Sequence, residues 1–218
     1  MEMAKEMTAT PKTIKSIKTN LVSSGEQEFQ RAYHLAFRGK NKKRVPWNQV
    51  RELWKVAASA GHARAAFYLG VAHDRGWGSK PCHEFAAFYY SMAALKGHSV
   101  AQYNLSLLFR DGIGVDRSLK KAAYWLKKSA HSGYVDALRD LGVAFFYGKG
   151  IGRNRTKAVA LYKAATRKGD ASAMFNIGLC YRDGEGVKKS LRWAEHYFQK
   201  AASTGHAGAR KCLSKLKD

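Results

Sequence analysis

"LLFRDGIGVDRSLKKAAYWLKKSAHSG" occupies residues 107–133, and 72 positions later residues 179–205 read "LCYRDGEGVKKSLRWAEHYFQKAASTG". Leading into the first stretch, Ala101, Leu105 and Phe109 fall four apart, the stripe of a helix that buries one side. Gly112 and Gly114 interrupt it, because glycine takes the left-handed conformation that ends a helix without the cost a Cβ adds. A second stripe, Ala122, Trp125, Leu126 and Ala130, then runs to Gly133. The spacing predicts a hairpin, with one helix near 99–111 and a second near 118–131. A lone hairpin cannot cover its apolar faces, so it is stable only when stacked on copies of itself.

Working outward, the copies are there. Gly61, Gly97, Gly133, Gly169 and Gly205 are each 36 residues apart. The turn pairs Gly76 and Gly78, Gly112 and Gly114, Gly148 and Gly150, and Gly184 and Gly186 keep the same period. Ala65, Ala101, Ala137 and Ala173 follow it too, as do Leu69, Leu105, Leu141 and Ile177. These positions define four full units at 63–98, 99–134, 135–170 and 171–206. A degraded unit is expected at 25–62, with Gly25 in the place of Gly61 and "RGKNKKRVPW" replacing the glycine turn. Residues 207–216, "AGARKCLSKL", read as a closing helix, and residues 1–24 as a flexible basic segment outside the stack. The fold class is all-α, with about five 36-residue hairpins and a C-terminal cap.

Lys and Arg number 39 against 16 Asp and Glu among the 218 residues, a net charge of +23. Such an excess predicts acidic proteins, nucleic acid or anionic surfaces as partners and is silent on fold. It is spread along the repeats, so no removable tail carries it. Three cysteines, Cys82, Cys180 and Cys212, form no paired framework, which favours a reducing compartment. With no apolar run of signal-peptide or membrane-spanning length, the expected location is the cytoplasm.

The stretches "AFYLGVAHDRGWG", "AQYNLSLLFRDGIGV", "ALRDLGVAFFYGKGI" and "AMFNIGLCYRDGEGV", each followed by a K-A-x-x-W-Y-x-x-A-A-x-x-G-like segment, resemble the Sel-1-like repeat. This is a relative of the tetratricopeptide repeat. The resemblance covers roughly residues 25–216, with Ser106 replacing the usual glycine and Gly39 one place out of register. It implies a right-handed superhelix of helix pairs used as a protein-binding scaffold, and it carries no catalytic residues. In such stacks the concave face is lined by first-helix positions that avoid the core. Here the resemblance implies Arg31 and Arg38, then Arg64, Phe67 and Arg75, then Tyr103 and Arg110. Arg139, Phe146 and Tyr147, then Phe175, Arg182 and Lys211, complete the set. Arginine among aromatic residues suits acidic peptides, through bidentate carboxylate pairing and planar stacking. The competing expectation is that several of these aromatics only fill the gap between successive first helices.

Other chemistry is poorly supported. "YGKGIGRN" at 147–154 contains GxGxG, but a dinucleotide loop follows a strand and opens a helix, whereas these loops follow helices. His62, His98 and His206 recur a whole repeat apart, too far to share a metal ion. Tyr134 and Asp170 fill the same slot, which points to a helix-cap contact. Asp111 and Asp183 sit at helix C-termini, where a carboxylate is disfavoured and needs a neighbouring Arg or an amide. No cofactor, metal or catalytic site is expected. Lys120, Lys121, Lys127, Lys128, Lys157, Lys163, Arg167, Lys168, Lys188, Lys189 and Arg192 form a basic set on the second helices, read as a solvated face. "RGKNKKR" at 38–44 is read as a solvated turn. The expected function is a monomeric, non-catalytic adaptor whose basic groove holds an acidic protein or peptide. The alternative is a nucleic-acid-binding solenoid that contacts phosphates through Lys and Arg.

Overall fold

A computed structural model describes residues 25–38 and 45–217. The segment 1–24 and most of the basic turn, 39–44, lie outside the described residues. Helix α1 covers 25–38, its last turn, His34–Arg38, being π-helical. It is followed by α2 (Trp47–Ser59), α3 (Ala63–Arg75), α4 (His83–Leu95), α5 (Ser99–Asp111) and α6 (Leu119–His131). Then come α7 (Val135–Tyr147), α8 (Arg155–Arg167), α9 (Ala171–Asp183), α10 (Leu191–Ser203) and α11 (Ala207–Lys217). Among the described residues there is no strand. The chain forms two compact units, with the division after Ala101, inside α5. In the first, α3 packs on α2 and on α4; in the second, each helix from α6 to α11 packs on the next. Sequential packing of helical hairpins is the all-α solenoid arrangement that the 36-residue period predicts.

The punctuation is glycine. Among the described residues, the thirteen glycines expected at turns are the residues with positive φ, from 67° to 91°. The first glycine of each GxG pair closes a helix: the Gly112 and Ile113 amides both donate to the Leu108 carbonyl, at 2.8 and 3.1 Å. The second glycine does a different job. A Cβ on Gly150 would collide with the Leu119 backbone, on Gly186 with the Arg155 backbone, and on Gly78 with Trp47. Each of these three turns therefore rests on the first residue of the preceding hairpin's second helix.

Gly25 departs from expectation. It has helical rather than left-handed backbone, is buried in α1, and a Cβ there would come within 2.9 Å of the Ala60 Cβ. It is a packing glycine, not the equivalent of Gly61.

A further glycine lies inside three of the first helices. Gly70, Gly142 and Gly178 face the rings of Tyr90, Tyr162 and Phe198, each so close that a Cβ would overlap the ring. The three rings are at most 2% exposed, so they are the keystones of their hairpins. In the repeat 99–134 the same places hold Ser106 and Leu126. There Ala122, Ala123 and Leu126 are 6–8% exposed, where Ala158, Val159 and Tyr162 of the next repeat are 0–3%.

Candidate functional site

The residue before each first helix is the cap slot that the sequence singles out. The Nδ1 atoms of His62, His98 and His206 accept from the amides of Ala65, Ala101 and Ala209, at 3.1, 3.2 and 3.2 Å. An Asp170 oxygen accepts from Ala173 at 2.6 Å. These side chains satisfy amides that a helix start leaves without partners. Each of the three imidazoles accepts through Nδ1. Among the described residues no three His, Cys, Asp or Glu side chains are grouped to hold a metal ion.

Tyr134 occupies the same slot but makes no cap hydrogen bond, since a phenol cannot reach back to the amides of its own first turn. The side chain in each slot also meets the preceding first helix, and there four of the expected binding residues are found. Phe67 stacks on His98 with centroids 4.5 Å apart, and Phe175 stacks on His206 at the same distance. Tyr103 packs on Tyr134 at 5.2 Å and donates its hydroxyl to Asp140 at 2.9 Å. Burial and that carboxylate push the Tyr103 phenol well above its usual range. Arg139 is held by Asp136, Asp140 and Asp170 at 2.8, 2.9 and 2.9 Å. These four positions are partly buried and tie each first helix to the residue that precedes the next first helix. In the degraded repeat the same contact is made by Phe29, stacked on His62 at 4.3 Å. Phe29 lies two residues before Arg31, the equivalent by sequence count, and Arg31 is left exposed.

Other expected residues are at the surface. Arg31, Arg38, Arg64, Arg75, Arg110 and Lys211 are exposed, and Arg182 is half-buried. Arg64 lies over the Phe29 ring at 4.8 Å. Arg110 grips Asp111 through Nε and Nη2, both at 2.8 Å, and Arg182 grips Asp183 at 2.7 and 2.8 Å. The guanidinium hydrogen bonds hold both carboxyls below the usual carboxylate range. The neighbouring Arg is thus the partner these C-terminal carboxylates required. Tyr147 is 64% exposed, while Phe146 lies under the Arg155 guanidinium at 5.4 Å. All three cysteines are free, and burial pushes the Cys180 thiol up to about 11, which leaves it inert.

Two concavities of the second unit escaped the sequence. One, of about 340 Å³, lies beside Ser106 and Leu126. The other, of about 400 Å³, lies between α8 and α10, where Lys163, Arg167 and Lys200 surround Tyr181, Trp193 and Tyr197. Trp193 is 51% exposed, and the Lys163 ammonium is 5.9 Å from the Tyr181 centroid. Lys163 and Arg167 were visible as second-helix cations; their aromatic neighbours come from another helix pair and share no sequence window with them.

The family model described as Sel1 repeat matches the chain four times, at 63–98, 99–134, 135–170 and 171–206. The chain belongs to the Sel1 repeat family. Sel1-repeat proteins are generally protein-interaction scaffolds on a fold that is generally non-catalytic. No curated protein matches the chain. Among solved structures it is similar to c5321, a protective antigen of uropathogenic Escherichia coli with an SLR fold. The two are 25% identical with a TM-score of 0.82, over 93% of this chain and 43% of that one. This chain thus spans less than half the length of c5321. It is also similar to a Sel1 repeat protein from Oxalobacter formigenes, at 24% identity and a TM-score of 0.77, over 95% and 84% of the two chains. Among the described residues no helix is long and apolar enough to cross a membrane.

Proposed function

We propose that the chain is a non-catalytic adaptor that binds an acidic protein or peptide through the exposed cations of its first helices and turns. One observation carries this reading. Among the described residues no carboxylate lies within ion-pair distance of Arg31, Arg38, Arg64, Arg75 or Lys211, in a chain of net charge +23. Repulsion among so many cations destabilises the compact state, and an anionic partner relieves it. Arg110 and Arg182 add planar donors already held in place by their neighbouring aspartates. That reduces the ordering cost of a further bidentate contact.

The test is fluorescence anisotropy with a labelled peptide of alternating Glu and Asp, and with labelled oligothymidylate. Arg110→Glu with Arg182→Glu is expected to weaken peptide binding at least tenfold with an unchanged far-UV spectrum. Unchanged peptide affinity overturns the assignment. A second reading, contact with single-stranded nucleic acid, is favoured by the cleft between α8 and α10. Its aromatic faces and cations suit bases and phosphates, and Thr166 there keeps a buried hydroxyl without a partner among the described residues. Under that reading oligothymidylate binds with a steep salt dependence and quenches Trp193.

A further inference from the structure

The repeat 99–134 lacks the ring that closes its three sisters. Tyr90, Tyr162 and Phe198 each fill the space over a helical glycine, whereas Leu126 and Ser106 in the same places line a common cavity. Leucine is shorter than a ring, and the serine does not make up the difference. Its hydroxyl turns back to donate to the Tyr103 carbonyl at 2.6 Å. The result is the open cavity of about 340 Å³ between α5, α6 and α7. Its walls include Leu107, Leu119 and Val143, and Arg110 and Lys149 stand among its lining residues. Asp140 lines it too, but its oxygens are taken by Tyr103 and Arg139. Lys149 has no carboxylate at ion-pair distance among the described residues; its ammonium lies 5.5 Å from the Tyr147 centroid.

An apolar hollow of this size exceeds the roughly 150 Å³ that suffices to hold a benzene ring, and it sits at the lower end of ligand pockets. Its uncompensated charge is the Lys149 ammonium, since Arg110 is already paired with Asp111 through Nε and Nη2. We propose that it is an anchor pocket: it takes one aromatic side chain of the partner's acidic segment, with the flanking carboxylates on Lys149 and Arg110. The ring of the partner occupies the kind of space that the sister repeats fill from within. This rests on the acidic-partner reading and names what that partner must carry. Residues 1–24 of the chain contain no Phe, Tyr or Trp, and so cannot supply the ring themselves. A second copy brings another +23 of charge to a cationic rim, which disfavours it as the occupant.

The test compares two labelled peptides, Glu-Glu-Asp-Glu-Trp-Glu-Asp-Glu-Glu and the same peptide with Ala for Trp, by anisotropy on the full chain. The tryptophan peptide is expected to bind at least tenfold tighter. Ser106→Gly with Leu126→Tyr, which imports the sisters' own packing, is expected to erase that advantage while the alanine peptide binds as before. Val143→Phe blocks the hollow from α7 and serves if the first variant misfolds. Equal affinity of the two peptides overturns the anchor pocket and leaves the acidic-partner reading standing. Binding of neither peptide overturns both. A tryptophan advantage that survives in both blocked variants, or a loss confined to oligothymidylate binding or self-association, overturns the anchor pocket alone.

Discussion

Replacing Gly142 by alanine sets two general effects against each other. Gly142 is inside α7 with ordinary helical backbone, so helix propensity alone favours alanine by about 1 kcal/mol. The new methyl would stand 2.5 and 2.8 Å from two ring carbons of Tyr162. Carbon atoms rest at about 3.5–4.0 Å, so the ring must retreat by roughly 1 Å. Tyr162 is 2% exposed and has nowhere to go without displacing neighbours. Overpacking of that kind costs about 1–3 kcal/mol. Gly142→Ala is therefore expected to be net destabilising, by about 1 kcal/mol, or roughly 2–4 °C in Tm for a chain of this size. Ser106→Ala, in the equivalent slot opposite Leu126, meets open space and is expected to stabilise by a few tenths of a kcal/mol, in line with propensity. Combining Gly142→Ala with Tyr162→Leu removes the clash, so the double-mutant cycle should show a favourable coupling of about 1–2 kcal/mol. Guanidinium denaturation of the four variants measures all of this. Were Gly142→Ala to gain the full propensity benefit, the ring contact would not be a tight one, and the account of the 99–134 cavity would lose its template.

Asp170→Ala removes the α9 cap and one of three carboxylates on Arg139; an expected loss of about 1–3 kcal/mol in urea denaturation should be only partly recovered by Asn, which caps without charge. His98 must stay neutral at Nδ1 to cap α5, and burial, followed by the charge of Arg64, lowers its pKa below the ordinary 6.5. The unfolded state then binds more protons than the folded one just below pH 6.5. Stability should fall as the pH drops from there through the folded pKa. His98→Asn keeps the cap and should flatten that part of the stability–pH curve, measured by denaturant midpoints between pH 5 and 7.5.

The hairpins were legible because their determinants are local. A glycine that must adopt positive φ leaves its mark at one position, and the 36-residue spacing of Gly61, Gly97 and Gly133 repeats that mark along the chain. The cap slot was legible for the same reason, since His62, His98, Asp170 and His206 act on amides three residues away. Which of the expected positions stay free at the surface was not. At helical spacing, a residue that faces solvent and one that reaches the next repeat have the same signature, so Phe67 and Arg139 looked as available as Arg75. Only the coordinates separate an arginine held by three aspartates from one with none. The cavity stayed hidden because its cause is shared. Ser106 alone is a mild departure and Leu126 alone an ordinary core residue; the gap exists only when both stand face to face. Likewise Gly25 matched the period while Phe29 made the contact, because a helix can slide by two residues when the turn beyond it is not of the usual length.

The joints between each first helix and the slot that precedes the next first helix are chemically distinct although they share one geometry. Tyr103 meets Tyr134, Arg139 meets Asp170, and Phe175 meets His206. A block cut just before its cap slot, and moved to another place in the array, would present a guanidinium to an imidazole, or a ring to a lone carboxylate. The array therefore has an address at each seam: its modules share one shape yet are not interchangeable, and shuffling them would be penalised at every misjoined border.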